Sequence, residues 1–143
     1  GGTVTWAPTN ITYGHNNRSA QFRLPQNRYC IENRAADMTM NVYLAFSMTL
    51  SAAVEGIKKK IHPGKPTDQD LYNMTDSEFK KLGIKRLPRN LLMAIEALKN
   101  DKLSDEVIGS VMKKSLLAYK NDEWERYHQA VTDWEVKEYL RLY

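Results

Sequence analysis

The sequence predicts an α+β fold in which short strands come first and helices follow. Polar and apolar residues alternate over residues 19–24 and 28–34, which is the pattern of half-buried strands. From residue 41 onward the apolar spacing is helical, and two Thr-x-x-Glu capping boxes start helices there. Because two strands do not form a stable sheet alone, we expect the chain to be part of something larger or to need a partner.

Length and composition are those of one globular domain. The chain has 143 residues, of which 42% are hydrophobic and 27% charged, and this excludes a mainly disordered protein. Cys30 is the only cysteine, so neither an internal disulfide nor a cysteine-rich zinc module can form. Residues 42–54, the longest nearly apolar stretch, are too few to span a bilayer, and no leader-like segment opens the chain. We therefore expect a cytoplasmic protein without membrane contacts.

The predicted strands carry the charged residues of greatest interest. Residues 3–12 are expected to be a loop with some extended backbone, and residues 14–17 a turn. In the first strand Arg23 lies on the polar face, and Pro25 ends the strand. In the second strand four side chains share one face: Arg28, Cys30, Glu32 and Arg34.

The helices are predicted from apolar periodicity and from the residues at their ends. Residues 41–60 are apolar on most sides and should form a largely buried helix. Thr75 and Glu78 form a capping box for a short helix that Gly83 closes. Three further helices are expected: one that Pro88 starts and that runs to about residue 99, one that Ser104 caps, and one from the capping box of Thr132 and Glu135 to residue 143.

Charge is unevenly distributed along the chain. The net charge is +4, yet residues 1–34 contain four arginines and one acid, Glu32. The lysine run at residues 58–60 is interpreted as a helix end, where cations meet the negative end of the dipole. The arginine-flanked Glu32 has two interpretations. One is an ion pair on a strand face, and the other is a phosphate site where arginines bind phosphoryl oxygens and the carboxylate holds a divalent metal.

The motifs along the whole chain resemble those of the glutamine synthetase family, in the same order. Residues 17–25, NRSAQFRLP, resemble the signature NR(S/T)xxxRxP, and residues 31–34, IENR, resemble the strand that follows it. The match continues in the helix start at residues 37–45, in EGIKKK and HPG within residues 55–64, in DLY at residues 70–72, in LP at residues 87–88 and in residues 123–135. The resemblance is to the C-terminal part of the catalytic domain of much longer proteins.

The resemblance implies an ATP-dependent glutamate–ammonia ligase that uses Mg²⁺ or Mn²⁺ and forms γ-glutamyl phosphate. Arg18 matches the arginine that neutralises the transferring phosphoryl group, and Arg34 the arginine that holds the glutamate side chain. Arg23 matches an arginine that contacts the nucleotide phosphates, and Glu32 the carboxylate of the second metal. Such a ligase needs cations on the phosphoryl oxygens and a metal carboxylate beside them.

The resemblance also implies how the chain is organised. Residues 1–143 are the C-terminal part of the catalytic domain, with 1–36 as its strand and loop segment at the active site and 37–143 as its helical segment. Of the family's metal-binding carboxylates only Glu32 remains, and three histidines outside the metal motif are interpreted as structural or surface residues: His15, His62 and His128. We expect a fragment that is inactive alone, while the full-length protein is a homo-oligomer.

Two departures from the family pattern bear on the chemistry. Cys30 replaces a nucleotide-contacting arginine of most bacterial members, and Arg28, two residues earlier on the same face, is expected to compensate for it. Trp6 stands where many members have the glutamate of a flap that takes a proton from ammonium. Residues 5–9, TWAPT, are more similar to γ-glutamylamide ligases that use methylamine or larger amines. The amine is therefore either ammonia or a small alkylamine, whose methyl group an indole ring can bury.

Other functions remain as alternatives. A non-catalytic domain would bind a nucleotide or a partner through the same arginine face. A nucleic-acid binder is disfavoured, because no helix carries a basic stripe. Tyr72 aligns with a tyrosine that some bacterial members adenylylate. A packing role is favoured there, because the proline-rich surroundings of those forms are missing.

Overall fold

The structure is a computed structural model that describes residues 7–140 and residue 142. The chain divides into two units, Gly1–Arg89 and Asn90–Tyr143. All four described strands and two helices lie in the first unit, and four helices lie in the second. This mixture confirms the predicted α+β fold. The predicted boundary between residues 36 and 37 stays a prediction.

The first unit contains a four-stranded sheet in the order β3-β2-β1-β4. The strands are β1 (Asn10–His15), β2 (Ala20–Leu24), β3 (Glu32–Asn33) and β4 (Lys85–Arg86). β1 and β2 are parallel, whereas β3 pairs with β2 and β4 with β1 in antiparallel fashion. Residues 16–19, which we call the connector, join β1 to β2 directly. Parallel strands usually need a crossover of a dozen residues or more, so this connector is unusually short.

The strand predictions are confirmed for β2 and wrong in two other places. The extended backbone expected within residues 3–12 includes the first part of β1, but β1 continues to His15 and pairs on both edges, so the turn predicted over residues 14–17 is wrong at its first two residues. The predicted strand over residues 28–34 is reduced to the two residues of β3. The chain must reverse direction between β2 and its antiparallel neighbour β3, and residues 26–29 form the turns and bends that do so. Arg28 and Cys30 therefore do not share a strand face with Glu32.

The helix α1 (Val42–Lys58) forms where the sequence predicts it, and Asn41 caps its start by accepting hydrogen bonds from two backbone N–H groups. The expectation that it is largely buried is wrong, because no residue of α1 is buried. Its apolar side chains form an exposed row: Tyr43, Phe46, Leu50, Val54 and Ile57. The described part of the first unit supplies no layer that covers them.

The short helix α2 (Asp76–Leu82) confirms the predicted capping box. The Thr75 hydroxyl accepts from the backbone N–H of Glu78, and the Glu78 carboxylate accepts from the backbone N–H of Thr75 at 2.6 Å. Gly83 ends the helix with φ at +66°, a left-handed conformation that glycine adopts without a Cβ clash. Phe79 of α2 belongs to the small buried core of this unit, together with Ala20 and Leu71.

The second unit consists of α3 (Leu91–Asn100), α4 (Lys102–Val107), α5 (Ser110–Gln129) and α6 (Asp133–Tyr139). Pro88 does not start α3, because the Asn90 side chain caps it by accepting from the backbone N–H of Met93 at 2.9 Å. Ser104 does not cap the long helix. It lies inside α4, which Asp101 caps, and Gly109 at φ +76° separates α4 from α5.

The start of α6 is as predicted, with reciprocal capping between Thr132 and Glu135. The helix ends at Tyr139 rather than at residue 143. Inside the second unit Ile95, Ser104 and Lys113 are buried. The Lys113 ammonium donates to the Asp101 carbonyl at 2.7 Å and lies 3.0 Å from a carboxylate oxygen of Asp105, which compensates its burial. A search of the described helices finds none that is long and apolar enough to cross a membrane.

A segment without regular structure, residues 64–72, lies against β1 and the connector. We call it the strap. Its backbone is joined to β1 through the Thr67 N–H, which donates to the Tyr13 carbonyl at 2.8 Å, and the Tyr13 hydroxyl donates to the Gly64 carbonyl at 3.0 Å. The strap thereby forms one wall of the cavity described next.

Candidate active site

Arg18 lies in the connector, at the edge of a cavity of about 470 Å³ in the first unit. The wall of this cavity is formed by the end of β1, the connector, one residue of β2 and the strap. The lining residues are His15, Asn16, Asn17, Arg18, Ser19, Arg23, Asp68, Asp70 and Tyr72. Two arginines and two carboxylates thus face the same space, which is the charge pattern of a polar ligand site rather than of an apolar pocket.

The connector is held to the strap by side-chain hydrogen bonds. The Asn17 amide nitrogen donates to the carbonyls of Thr67 and Gln69, at 2.6 and 3.0 Å. The hydroxyl of Ser19 accepts from the backbone N–H of Leu71 at 3.1 Å. These bonds give the short connector partners that regular secondary structure does not supply.

A second contact joins the end of β1 to the strap. The backbone N–H of His15 donates to one oxygen of the Asp68 carboxylate at 2.6 Å, and the imidazole Nδ1 lies 3.2 Å from the other oxygen. The backbone bond from His15 is the main reason that the pKa of Asp68 lies below its usual value. Asp68 therefore lines the cavity as an ionised carboxylate at neutral pH.

Arg23 and Glu32 form a cross-strand ion pair. They lie opposite each other in β2 and β3, and the Arg23 Nη1 donates to both carboxylate oxygens of Glu32, at 3.1 and 2.9 Å. Arg28, from the turn between the strands, donates to the same carboxylate. The hydrogen bonds from Arg23 and then Arg28 hold the pKa of Glu32 below its usual value, while Glu32 raises the pKa of Arg28.

One atom of Arg23 has no partner among the described residues. The Nε–H group is buried, and no described acceptor lies within hydrogen-bond distance. The Nη2 of the same guanidinium donates to the Asn16 side chain. A buried donor without an acceptor is costly, so the hydrogen bonding of Nε is incomplete among the described residues.

Arg34 follows β3 and reaches back to the connector. Its backbone N–H donates to the Gln21 carbonyl at 2.8 Å, and its Nε donates to the Arg18 carbonyl at 2.9 Å. Arg34 thus supports the backbone of Arg18 in this structure.

The five candidate residues therefore take three positions. Arg18 and Arg23 line the cavity, Arg23 also forms the ion-pair cluster with Arg28 and Glu32, and Arg34 supports the connector. Their catalytic and binding roles stay predictions. Sequence reasoning missed Asp68 and the function of Asn17 in joining connector and strap. The position of Asn17 in the NRS motif was the one available signal.

The described residues supply only part of a site for a divalent metal ion. Among residues 7–140 and 142, no group of three or more His, Cys, Asp or Glu side chains is placed to hold a metal ion. Glu32 offers one carboxylate, which suits a hard divalent cation as a single ligand. The three histidines have other contacts: His15 with Asp68, His62 with the backbone N–H of Gly64, and His128 stacked on Trp124.

Two further expectations concern residues at the margin of the site. Trp6 lies outside the described residues. Tyr72 is half-buried and donates its hydroxyl to the Ala7 carbonyl at 3.2 Å, and burial raises the pKa of its phenol. These contacts agree with the packing role that the sequence favours for Tyr72.

Comparison with known proteins shows which protein family the chain resembles. A family profile described as the glutamine synthetase catalytic domain matches residues 3–139. The glutamine synthetase of Methanococcus maripaludis is 37% identical over 139 residues, which are 95% of this chain and 31% of that protein. A glutamate–methylamine ligase of Methyloversatilis universalis is 38% identical over 140 residues, 98% of this chain and 31% of that protein.

A solved structure supports the same relation at the level of the fold. The chain superposes on a structure described as apo GmaS without ligand with a TM-score of 0.79 and 33% sequence identity, over 94% of this chain and 30% of that one. The chain thus spans about 30% of the length of the proteins that it matches.

Proposed function

The chain belongs to the glutamine synthetase family, and we propose that it is the C-terminal part of a ligase that joins glutamate to ammonia or a small amine with hydrolysis of ATP. The observation that carries the proposal is the pair of arginines, Arg18 and Arg23, at one cavity wall. The match of the chain to the family's catalytic domain supports it.

The reaction requires positive charge where phosphate charge develops. A γ-carboxylate oxygen of glutamate attacks the terminal phosphorus of ATP, ADP leaves, and an acyl phosphate remains. An amine then attacks the acyl carbon, its nitrogen gives up a proton, and inorganic phosphate leaves as the amide forms. In this proposal Arg18 neutralises the transferring phosphoryl oxygens, and Arg23, which also lines the cavity, contacts a nucleotide phosphate oxygen. Arg34 holds the glutamate substrate.

The proposal assigns Glu32 to Mg²⁺ or Mn²⁺ as one of several ligands. A bound divalent ion would share the charge of the nucleotide phosphates. In the structure the two oxygens of Glu32 accept three hydrogen bonds from arginines, which leaves one of the four lone pairs of the carboxylate for a metal. The remaining ligands come from the rest of the full-length protein, which we expect to be a homo-oligomer.

A second candidate differs only in the amine. The relative from Methyloversatilis universalis is a glutamate–methylamine ligase, and Trp6 replaces the proton-accepting glutamate that many family members have. An indole offers only an N–H donor and an apolar face, so it does not accept a proton from ammonium. Its face would bury the methyl group of methylamine, a gain of about 0.8 kcal/mol.

An amine screen on the full-length protein tests both candidates. ATP hydrolysis that requires glutamate and an amine supports the ligase, and hydrolysis that ignores both would contradict it. Comparison of kcat/KM for ammonia and methylamine, in wild type and Trp6→Glu, then identifies the amine. We expect wild type to favour methylamine if Trp6 lines the amine site, and Trp6→Glu to gain with ammonia. If the wild type prefers ammonia and Trp6→Glu has no higher kcat/KM for ammonia, glutamine synthesis is the function.

A further inference from the structure

We propose that Asn17 is a positioning residue that fixes Arg18 for phosphoryl transfer by binding the connector to the strap. The inference rests on the proposed function, because it assigns a role toward the same cavity. It concerns a residue whose side-chain hydrogen bonds all go to the protein and that acts through its neighbour.

The Asn17 side chain uses all of its hydrogen-bonding capacity. Its nitrogen donates to the carbonyls of Thr67 and Gln69, at 2.6 and 3.0 Å. Its oxygen accepts from the backbone N–H and from the hydroxyl of Ser19, at 2.9 and 2.7 Å. An amide has two N–H donors and an oxygen with two lone pairs, so each has a partner here. Aspartate has the same shape but would place a carboxylate oxygen against two carbonyls.

The residues on both sides of Arg18 are therefore anchored. Asn17 holds the strap from one side, and Ser19, which is 3% exposed, accepts from the backbone N–H of the buried Leu71 on the other. The Arg18 carbonyl accepts from Arg34 Nε at 2.9 Å. The backbone of Arg18 is fixed before it, after it and at its own carbonyl.

The strap lies so close to β1 that its position is fixed by direct contact. A Cβ atom on Gly14 would lie 2.3 Å from the Thr67 carbonyl oxygen, which is closer than real Cβ contacts. Only glycine permits this approach. The same strap carries Asp70 and Tyr72 into the cavity wall that Arg18 also lines. The Asn17 contacts thus set the distance between the two sides of the cavity.

The position of Arg18 matters because charge stabilisation in a transition state depends on geometry. A displacement of about 1 Å can lower a rate by about 10²-fold. The connector is too short for a helix or strand of its own, so its conformation depends on these side-chain bonds. If Asn17 were only a structural residue, its loss would reduce stability without acting through Arg18.

The test is a double-mutant cycle on the full-length protein with kcat, KM for ATP and the thermal midpoint as readouts. The variants are Asn17→Asp, Arg18→Ala and the two combined. Asn121→Asp is the matched control, because it also removes an amide donor to a backbone carbonyl, that of Leu117 at 2.7 Å on an exposed part of α5. We expect Asn17→Asp to lower kcat about 10- to 100-fold, with a smaller change in KM. We expect no further loss when it is added to Arg18→Ala.

Other results would overturn the proposal. Losses that multiply in the double variant, or an Asn17→Asp kcat close to that of the Asn121→Asp control, would show that Asn17 does not act through Arg18. If Asn17→Asp does not fold, variants of Ser19 provide the same test. We expect Ser19→Thr, which keeps the hydroxyl, to retain the kcat of the wild type, and Ser19→Ala to lower kcat. Equal kcat in those two variants would overturn the proposal. A wild type that forms no amide would reject the proposed function itself, and this inference with it.

Discussion

Arg23 both lines the cavity and belongs to the ion-pair cluster. Its guanidinium donates to Glu32 through Nη1 and to Asn16 through Nη2, and its Nε faces no described acceptor. An arginine held on two of its three nitrogens has a fixed guanidinium orientation. A fixed guanidinium at the cavity wall suits recognition of a phosphate oxygen, since little conformational entropy is lost when the ligand binds.

Arg18→Ala in the full-length protein is expected to lower kcat more than it weakens ATP binding. The physical reason is that the proposed role places Arg18 at charge that develops in the transition state, where the loss of one donor costs about 3–4 kcal/mol, or 10²- to 10³-fold. Steady-state kcat and the Kd for ATP measure the two effects separately. Arg89→Ala, an exchange of an exposed arginine, is the control. An unchanged kcat would show that Arg18 has only a structural role.

At the residue scale the motif resemblance found the arginines and Glu32 but not their partners. Asn17 binds the carbonyls of Thr67 and Gln69, which lie some fifty residues later, and backbone carbonyls leave no mark in a sequence. The need for glycine at position 14 likewise arises only when the strap is in place. Contacts between a side chain and distant backbone are therefore the part of the site that sequence reasoning does not reach.

At the element scale, helix ends were easier to predict than strands. Both capping boxes form as the sequence predicts, because each is a local arrangement within four residues. The parallel pairing of β1 and β2 and the shortening of the second predicted strand depend on contacts that are distant in sequence. Asn90 and Asp101 cap α3 and α4 in place of Pro88 and Ser104, since several capping residues lie near each other there.

Thr75→Ala is expected to weaken α2 by about 1 kcal/mol, because one backbone N–H loses its side-chain acceptor. In the full-length protein this appears as roughly fivefold faster hydrogen exchange at the α2 amides. Thr132→Ala is the matched control, since it removes the corresponding cap of α6. Each variant should affect only its own helix. Unchanged exchange in α2 of Thr75→Ala would show that its cap contributes nothing.

The stabilisation of α2 by its capping box should depend on pH. Hydrogen bonds from the Thr75 hydroxyl and backbone N–H lower the pKa of Glu78 below its usual value. A carboxyl with a lowered pKa in the folded state stabilises the fold above its unfolded pKa, about 4.3, and this contribution is lost as the pH falls through the folded pKa. The hydrogen-exchange rates of the α2 amides in wild type and in Glu78→Gln should therefore become equal at acidic pH. A constant difference down to the lowest pH of folding would contradict this account.

At the scale of the whole molecule, the exposed row on α1 matches the limited span of the chain. Tyr43 is 82% exposed and Ile57 is 78% exposed, whereas helices of this composition are usually covered. The chain spans about 30% of the length of the relatives that it matches. The sequence predicts correctly that the chain is part of something larger, whereas the need for a partner stays a prediction. It does not predict which face is left uncovered.

The central claim is that these residues supply the phosphate-facing arginines of a glutamate–amine ligase whose other ligands lie elsewhere in the full-length protein. The most direct measurement compares ATP-dependent amide formation from glutamate and an amine by the full-length protein and by these 143 residues alone. The account predicts one amide formed for each ATP hydrolysed by the full-length protein, and no activity from the chain alone. A full-length protein that forms no amide with ammonia or any small amine, or an isolated chain as active as the whole, would contradict it.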